Sequence, residues 1–222
     1  MALGHNPSIA TSGLVLCLDA ANPRSYPGSG TNWADAMGST TKGTLTNSPT
    51  YSATNNGGLI FDGIDDYVEL NTTNIVTGTN PFTVECWYNL VSGAYGELFG
   101  NYGTGYTTNY LWVATLGFYI SGSCYVPNYA TATQGIHCVT CTRDGSGNCV
   151  TYLDGVSVAT ASLGGSVPAG PNFRIGADTN TNGGVGPEQL NGRIYNLKVY
   201  NVALTAIQVA QNFNAMRGRF GI

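Results

Sequence analysis

Charge is what this sequence has least of: 9% of its 222 residues are Asp, Glu, Lys or Arg, against roughly a quarter in an ordinary soluble domain. Only eight lysines and arginines are scattered along a chain of net charge −4. No basic stripe is therefore available to follow a phosphate backbone, and nucleic acid is excluded as an expected partner. Long apolar runs are missing too, so no stretch reaches the length of a membrane-spanning helix. The opening MALGHNPSIATSG has neither a basic region nor an apolar stretch of signal-peptide type, which sets the expectation of synthesis in a cytosol. Glutamate is limited to Glu69, Glu85, Glu97 and Glu188, and histidine to His5 and His137. This leaves few side chains for general acid–base work.

The six cysteines could make three bridges, but no secretory context supports that. In HCVTCTRD (137–144) a strand would send Cys138 and Cys141 to opposite faces, whereas a Cys-x-x-Cys metal clip needs a turn. Cysteine as a small buried hydrophobe is the expectation. For the same reason His137 and Cys138, neighbours on a strand, cannot pair as base and nucleophile.

What the chain does contain is glycine (31), tyrosine (14) and many short alternating runs. Strands are predicted at 14–19, 58–62, 67–70, 82–90, 97–101, 110–115, 117–121, 136–143, 149–155, 172–177 and 193–201, each bounded by Gly, Asn, Asp or Pro. HCVTCTRDGSGNCVTYLDGVSVAT reads as a hairpin followed by another strand after a tight Asp154-Gly155 turn. Long polar loops are expected at 20–57, 71–80, 101–109, 161–171 and 178–192. One helix is predicted at about 205–216, with Thr205 and Gln208 as a capping box and Gly218 as its stop. Val209, Phe213 and Met216 lie on its apolar stripe, which should pack on the sandwich edge. The organisation read is an arm over 1–12, one domain over 13–217 and a tail over 218–222. In the tail, Arg219, Phe220 and Ile222 form a candidate docking peptide, the alternative being a tail folded back on its own domain.

FDGIDDYVEL (61–70) concentrates acid in a chain short of it. Asp62-Gly63 is a turn pair, and Asp65 and Asp66 can accept bonds from backbone N–H groups where the chain reverses. Tyr95, Tyr102, Tyr106, Tyr110, Tyr125 and Tyr129 are candidates for carbohydrate binding, because tyrosine offers a flat apolar face and a hydroxyl to a sugar ring. Covering the sheets or making subunit contacts is the competing use.

GLVLCLDAANPRSYPGSGTNW, GTLTNSPTYS, GGLIFDGIDDYVEL, FTVECWYN, TRDGSGNCVTYLDGVSV, RIGAD and NGRIYNLKVYNVALTAIQVAQNFNAMRGRFGI together resemble the LamG-like jelly roll of the concanavalin A-like lectin and glucanase superfamily. The resemblance implies an all-β antiparallel sandwich with a short C-terminal helix. Calcium at the sandwich rim is implied as an optional ligand, with Asp62, Asp65, Asp66, Asn71 and Asp178 as candidates; no other cofactor is expected. Glycosidases of the superfamily carry Glu-x-Asp-x-x-Glu on one strand, and no glutamate here is followed by aspartate two residues on. A split pair such as Asp66 with Glu85 is the residual catalytic option, and the expectation is no enzyme. The segments LDAANPRSYPGSGT and QNFNAMRGRFGI resemble a subset of these domains from tailed phages. The implied role is a virion surface component of capsid or tail, made in the host cytoplasm and present in many copies as a homo-oligomer. Its expected partners are other virion proteins and, for attachment, host surface polysaccharide. A free-standing lectin-like module and a glycan hydrolase are the alternatives.

Overall fold

The structure, a computed structural model, describes residues 8–91, 96–102, 109–114, 117–120, 124–125, 134–162, 164–167, 173–177 and 189–222, side chains excepted at 102, 109–114, 117–118 and 124–125. Two antiparallel eight-stranded sheets are stacked. The first contains β1 (Leu14–Asp19), β4 (Thr50–Ser52), β5 (Gly58–Asp62), β7 (Phe82–Leu90), β12 (Gly135–Arg143), β13 (Asn148–Leu153), β14 (Val156–Ser162) and β16 (Asn191–Tyr200). Its order is β14-β13-β12-β7-β16-β5-β4, with β1 also on β16. The second contains β2 (Asn32–Ala34), β3 (Lys42–Thr46), β6 (Tyr67–Leu70), β8 (Glu97–Tyr102), β9 (Asn109–Ala114), β10 (Gly117–Ile120), β11 (Cys124–Tyr125) and β15 (Arg174–Ile175). Its order is β11-β10-β9-β8-β15-β6-β3-β2.

The core lies between the sheets because alternate residues of each strand point inward. Leu16, Leu59, Val84, Cys86, Val139 and Leu197 of the first sheet meet Trp33, Leu45, Val68, Phe99 and Ile175 of the second in one buried cluster. Cys141 faces this cluster while Cys138 lies in a different one on the opposite face, as strand alternation requires. Burial pushes the thiols of Cys86, Cys138 and Cys141 up from their ordinary range.

Most predicted strands stand within a residue or two of their expected bounds. Two differences have clear causes. The segment 20–57, expected as a loop, contains β2, β3 and β4. Each offers a single large inward residue among polar ones (Trp33, Leu45 and Tyr51), too weak a period to be read locally. Of the strand expected at 172–177, Arg174–Ile175 is paired among the described residues, and Gly176 ends it with φ +88°, where a Cβ would stand 2.4 Å from the Phe61 ring.

The single α-helix among the described residues, α1, runs Ala206–Phe220. Its capping box is in place: Gln208 N donates to Thr205 Oγ1 (3.3 Å) and Thr205 N donates to Gln208 Oε1 (2.9 Å). Its other end departs from expectation. Gly218 does not stop the helix, which continues to Phe220 and ends at Gly221 in the left-handed region (φ 73°). A mid-helix glycine costs about 1 kcal/mol, and the contacts made beyond it outweigh that. Phe220 stacks on Trp87 at 4.6 Å and meets Tyr195 at 4.9 Å. Arg219 pairs with Asp19 at 2.9 Å and donates to the carbonyls of Asn56 and Gly57. The expected docking peptide is thereby corrected: Arg219 and Phe220 are engaged within the chain, and Ile222 alone of the three is left exposed. The helix also lies on the outer face of the first sheet, not on an edge, since Phe213, Met216 and Phe220 pack on Trp87, Cys138 and Tyr195 of β7, β12 and β16.

Beneath α1 sits a buried polar group. Glu85 Oε1 meets Lys198 Nζ at 2.7 Å, with side chains 0% and 1% exposed. Asn212 Nδ2 donates to Glu85 Oε2 (2.7 Å) and to Tyr200 Oη (2.9 Å), and Asn212 Oδ1 accepts from Ala10 N (2.8 Å). Burial alone would pull the Lys198 ammonium down, but the charge and hydrogen bond of Glu85 hold it above its ordinary range. Helix, sheet and residues 8–12 of the arm are joined at this point.

Candidate functional site

The ladder of the second sheet aligns residues from every strand. Consecutive pairings run Asn32↔Thr44, Thr44↔Glu69, Glu69↔Arg174, Arg174↔Gly100, Gly100↔Trp112, Trp112↔Tyr119 and Tyr119↔Tyr125. Directly paired residues of antiparallel strands project to one face, so Asn32, Thr44, Glu69 and Arg174 stand side by side on that face. The complementary positions, among them Trp33, Leu45, Val68 and Ile175, fill the core.

At the centre of the described part, Arg174 Nη2 lies 3.4 Å from Glu69 Oε2. The guanidinium carbon of Arg174 stands 4.2 Å from the Tyr67 ring centroid, a cation–π distance. This fixes a planar donor, a carboxylate acceptor and an aromatic face side by side. A groove of about 340 Å³ opens beside them over Thr44, Thr46, Glu69, Leu70 and Asn71. Glu69 is the one carboxylate lining that groove among the described residues. Such a surface can offer alternating donors and acceptors to a polyhydroxylated ligand. Tyr67, Glu69 and Arg174 were not singled out from sequence. The available signal was their outward parity in YVEL and NFRIGA, which becomes a site only once the register sets them side by side.

The tyrosines expected to bind carbohydrate are placed only in part. Tyr102, Tyr110 and Tyr125 lie by backbone on β8, β9 and β11, their side chains outside the described residues. Tyr95, Tyr106, Tyr129 and the metal candidate Asp178 lie outside the described residues altogether.

The acidic turn is built as the sequence suggests. Asp62 Oδ1 accepts from Ile64 N (2.8 Å) and Asp65 N (3.4 Å), and Asp66 Oδ2 accepts from Asp62 N (3.1 Å). Oxygens of Asp62, Asp65 and Asp66 lie within 4.8 Å of one another, a spacing and an all-oxygen donor set that suit calcium. Asn71 does not join them: it stands at the far end of β6, bonded to Lys42 N and Thr40 O. Burial, with the charges of Asp62 and Asp65 added and the Asp62 N–H opposing, raises the Asp66 carboxyl from 3.8 to about 6. Protonated Asp66 therefore favours the fold; that contribution is complete below pH 3.8 and is lost as pH rises through 6. Asp66→Asn keeps an acceptor for Asp62 N without the charge. At pH 8 it is expected to be about 1–2 kcal/mol more stable than the native chain, less than the full shift implies because the rim is screened. Near pH 3.5 the two should unfold alike in urea; a difference independent of pH would refute the assignment. Bound calcium would relieve the same repulsion, so a melting temperature that neither calcium nor chelator moves at pH 8 leaves the cluster as turn punctuation.

Other candidates for chemistry are accounted for. His137 Nδ1 lies 2.8 Å from Asp154 Oδ2, and Asp154 Oδ1 accepts from Cys138 N at 2.8 Å. The Asp154 hydrogen bond raises the His137 pKa against the opposing effect of burial. The ring ties β12 to the β13–β14 turn. The split pair Asp66 with Glu85 does not form, because Glu85 is sealed under α1 on the first sheet while Asp66 opens β6 on the second.

Two stacked antiparallel sheets define a lectin-type β-sandwich. The chain belongs to the concanavalin A-like lectin/glucanases superfamily, whose profile matches residues 62–210. No curated protein sequence shows significant similarity to it. Among solved structures it is similar to Trypanosoma rangeli sialidase in complex with sialic acid (TM-score 0.66, 16% identity), matching 100% of this chain and 36% of that one. The chain thus spans about a third of the sialidase. It is similar along 91% of its length to 99% of domain 4 of an extracellular arabinanase from Geobacillus stearothermophilus, solved with arabinotriose (TM-score 0.65, 16% identity). It is also similar to the binding domain of Paraclostridial Mosquitocidal Protein 1 (TM-score 0.63, 12% identity), covering 91% of this chain and 52% of that one. At these identities the likeness establishes the fold.

Proposed function

We propose that this chain is a non-catalytic glycan-binding protein, displayed in many copies on the surface of a phage particle. The observation that carries the glycan reading is the Tyr67–Arg174–Glu69 array beside a polar groove on the second sheet. The likeness to a whole domain solved with arabinotriose supports it. The absence of catalysis is supported by how the described acids are used. A glycosidase needs two carboxyl groups roughly 5–10 Å apart across the scissile bond, whereas Glu69 is engaged by Arg174, Glu85 by Lys198 and Asp19 by Arg219. The virion setting is supported by the phage-like opening and closing segments and by a low-charge, glycine-rich β composition.

Arg174→Ala is expected to weaken binding to glycans recognised on an array about tenfold or more, the loss of a charge-assisted hydrogen bond and a stacked face. Its side chain is 12% exposed, paired with Glu69 and stacked on Tyr67, so some fall in melting temperature is expected as well, and binding is compared at a temperature where the variant remains folded. Binding unchanged by this substitution would move the site elsewhere. Cleavage of a labelled oligosaccharide by the native chain would overturn the non-catalytic reading, and failure to sediment with purified particles would overturn the virion setting.

A further inference from the structure

We infer that Lys198 and Asn212 join covalently, with loss of ammonia, in an intramolecular isopeptide bond that fastens α1 to the first sheet, and that Glu85 carries the proton for the reaction. The three side chains meet beneath the helix. Lys198 of β16 stands directly across the ladder from Glu85 of β7, and α1 lowers Asn212 onto the pair. One carboxylate then holds both reacting groups side by side, with Glu85 Oε1 2.7 Å from Lys198 Nζ and Glu85 Oε2 2.7 Å from Asn212 Nδ2. An amine and a carboxamide are unreactive towards each other in dilute water, but fixing two groups in place removes most of the entropic part of such a barrier. The site is also dry: Glu85 and Asn212 are 0% exposed and Lys198 is 1% exposed. Stability alone is a weak reason to bury such a pair, since apolar residues of similar size often serve as well.

The surrounding groups supply what the step needs. At rest the charge of Glu85 keeps the proton on Lys198. Passing it along their hydrogen bond exchanges two buried charges for two neutral groups, which a dry site favours, and frees the lone pair of Nζ. Nζ attacks Asn212 Cγ, and negative charge develops on Oδ1, to which Ala10 N already donates at 2.8 Å, as an oxyanion-stabilising donor does. The leaving nitrogen Nδ2 touches the same Glu85 carboxyl, which returns the proton to it as general acid. The Nζ–Cγ bond forms and the Cγ–Nδ2 bond breaks. Of the two protons that Nζ gives up, one departs with ammonia and the other stays on Glu85. Nothing is oxidised or reduced.

The test is mass spectrometry of the purified full chain, denatured after folding. The native chain is expected to be lighter than its sequence by one ammonia. Trypsin should leave residues 194–217 as a single peptide, uncut after Lys198 and carrying the whole of that deficit, with fragmentation placing the link between Lys198 and Asn212. Glu85→Gln keeps the shape of the side chain but cannot carry the proton. Once circular dichroism has shown it folded, it should have its full sequence mass and be cut after Lys198. A native chain of full mass that is cut after Lys198 overturns the proposal whether or not the variant folds. So does a deficit located elsewhere, as in a succinimide at an Asn-Gly pair, and a folded Glu85→Gln chain that is as light as the native one overturns the role given to Glu85.

Discussion

Glu85→Ala is expected to destabilise the fold by about 3–5 kcal/mol, because it leaves the Lys198 ammonium buried without its counter-charge. Lys198 is 1% exposed and has Glu85 Oε1 at 2.7 Å. The same change strips Asn212 Nδ2 of one of its two acceptors. Glu85→Ala should therefore loosen α1 as well as the sheet, and the helical circular-dichroism signal should fall in parallel with the urea midpoint. The double variant Glu85→Ala with Lys198→Met removes the orphaned charge and should recover a large part of the loss, since replacing a buried pair with apolar groups is often near neutral. A loss below about 1 kcal/mol for Glu85→Ala, measured at pH 7 by urea denaturation, would mean that water reaches the pair.

Trp87→Ala comes next, at about 3–5 kcal/mol, the range for removing a fully buried aromatic side chain. The Trp87 indole is 0% exposed and stacks with Phe213 at 5.4 Å and 2° and with Phe220 at 4.6 Å and 20°. Its removal takes away the surface on which the last turns of α1 rest, so hydrogen exchange should quicken at 213–220 more than in β12 or β13. Trp87→Phe keeps a ring in the stack and should cost less than half as much. Uniform loss of protection across both sheets would contradict the view that Trp87 acts chiefly through the helix.

Much of this architecture was legible locally. LVLCLD becomes β1 with the predicted bounds, FTVECWYNL becomes β7, and the Thr205–Gln208 capping box starts α1 where expected, because alternation and capping depend on near neighbours. The acidic turn was legible for the same reason, since Asp62 bonds to N–H groups two and three residues away. The groove was not: its defining contact joins Glu69 to Arg174, 105 residues apart, and no local pattern records which strands lie side by side. The helix stop at Gly218 was misread because local propensity favours ending there, while Trp87, Tyr195 and Asp19 hold the following residues from a distance.

By itself, then, the order of residues determined a two-sheet β-sandwich, its principal strands, its single helix start and a surface short of charge. Each of these depends on interactions within a few residues or on composition. Tertiary structure alone decided which faces are covered. Glu85 occupies an outward strand position that elsewhere would be wet, and it is dry because Lys198 and Asn212, 113 and 127 residues away, meet over it. Arg174 has the same outward parity on the second sheet, where it keeps 12% of its side chain exposed beside a Glu69 that is 35% exposed. The difference lies in where one helix comes to rest.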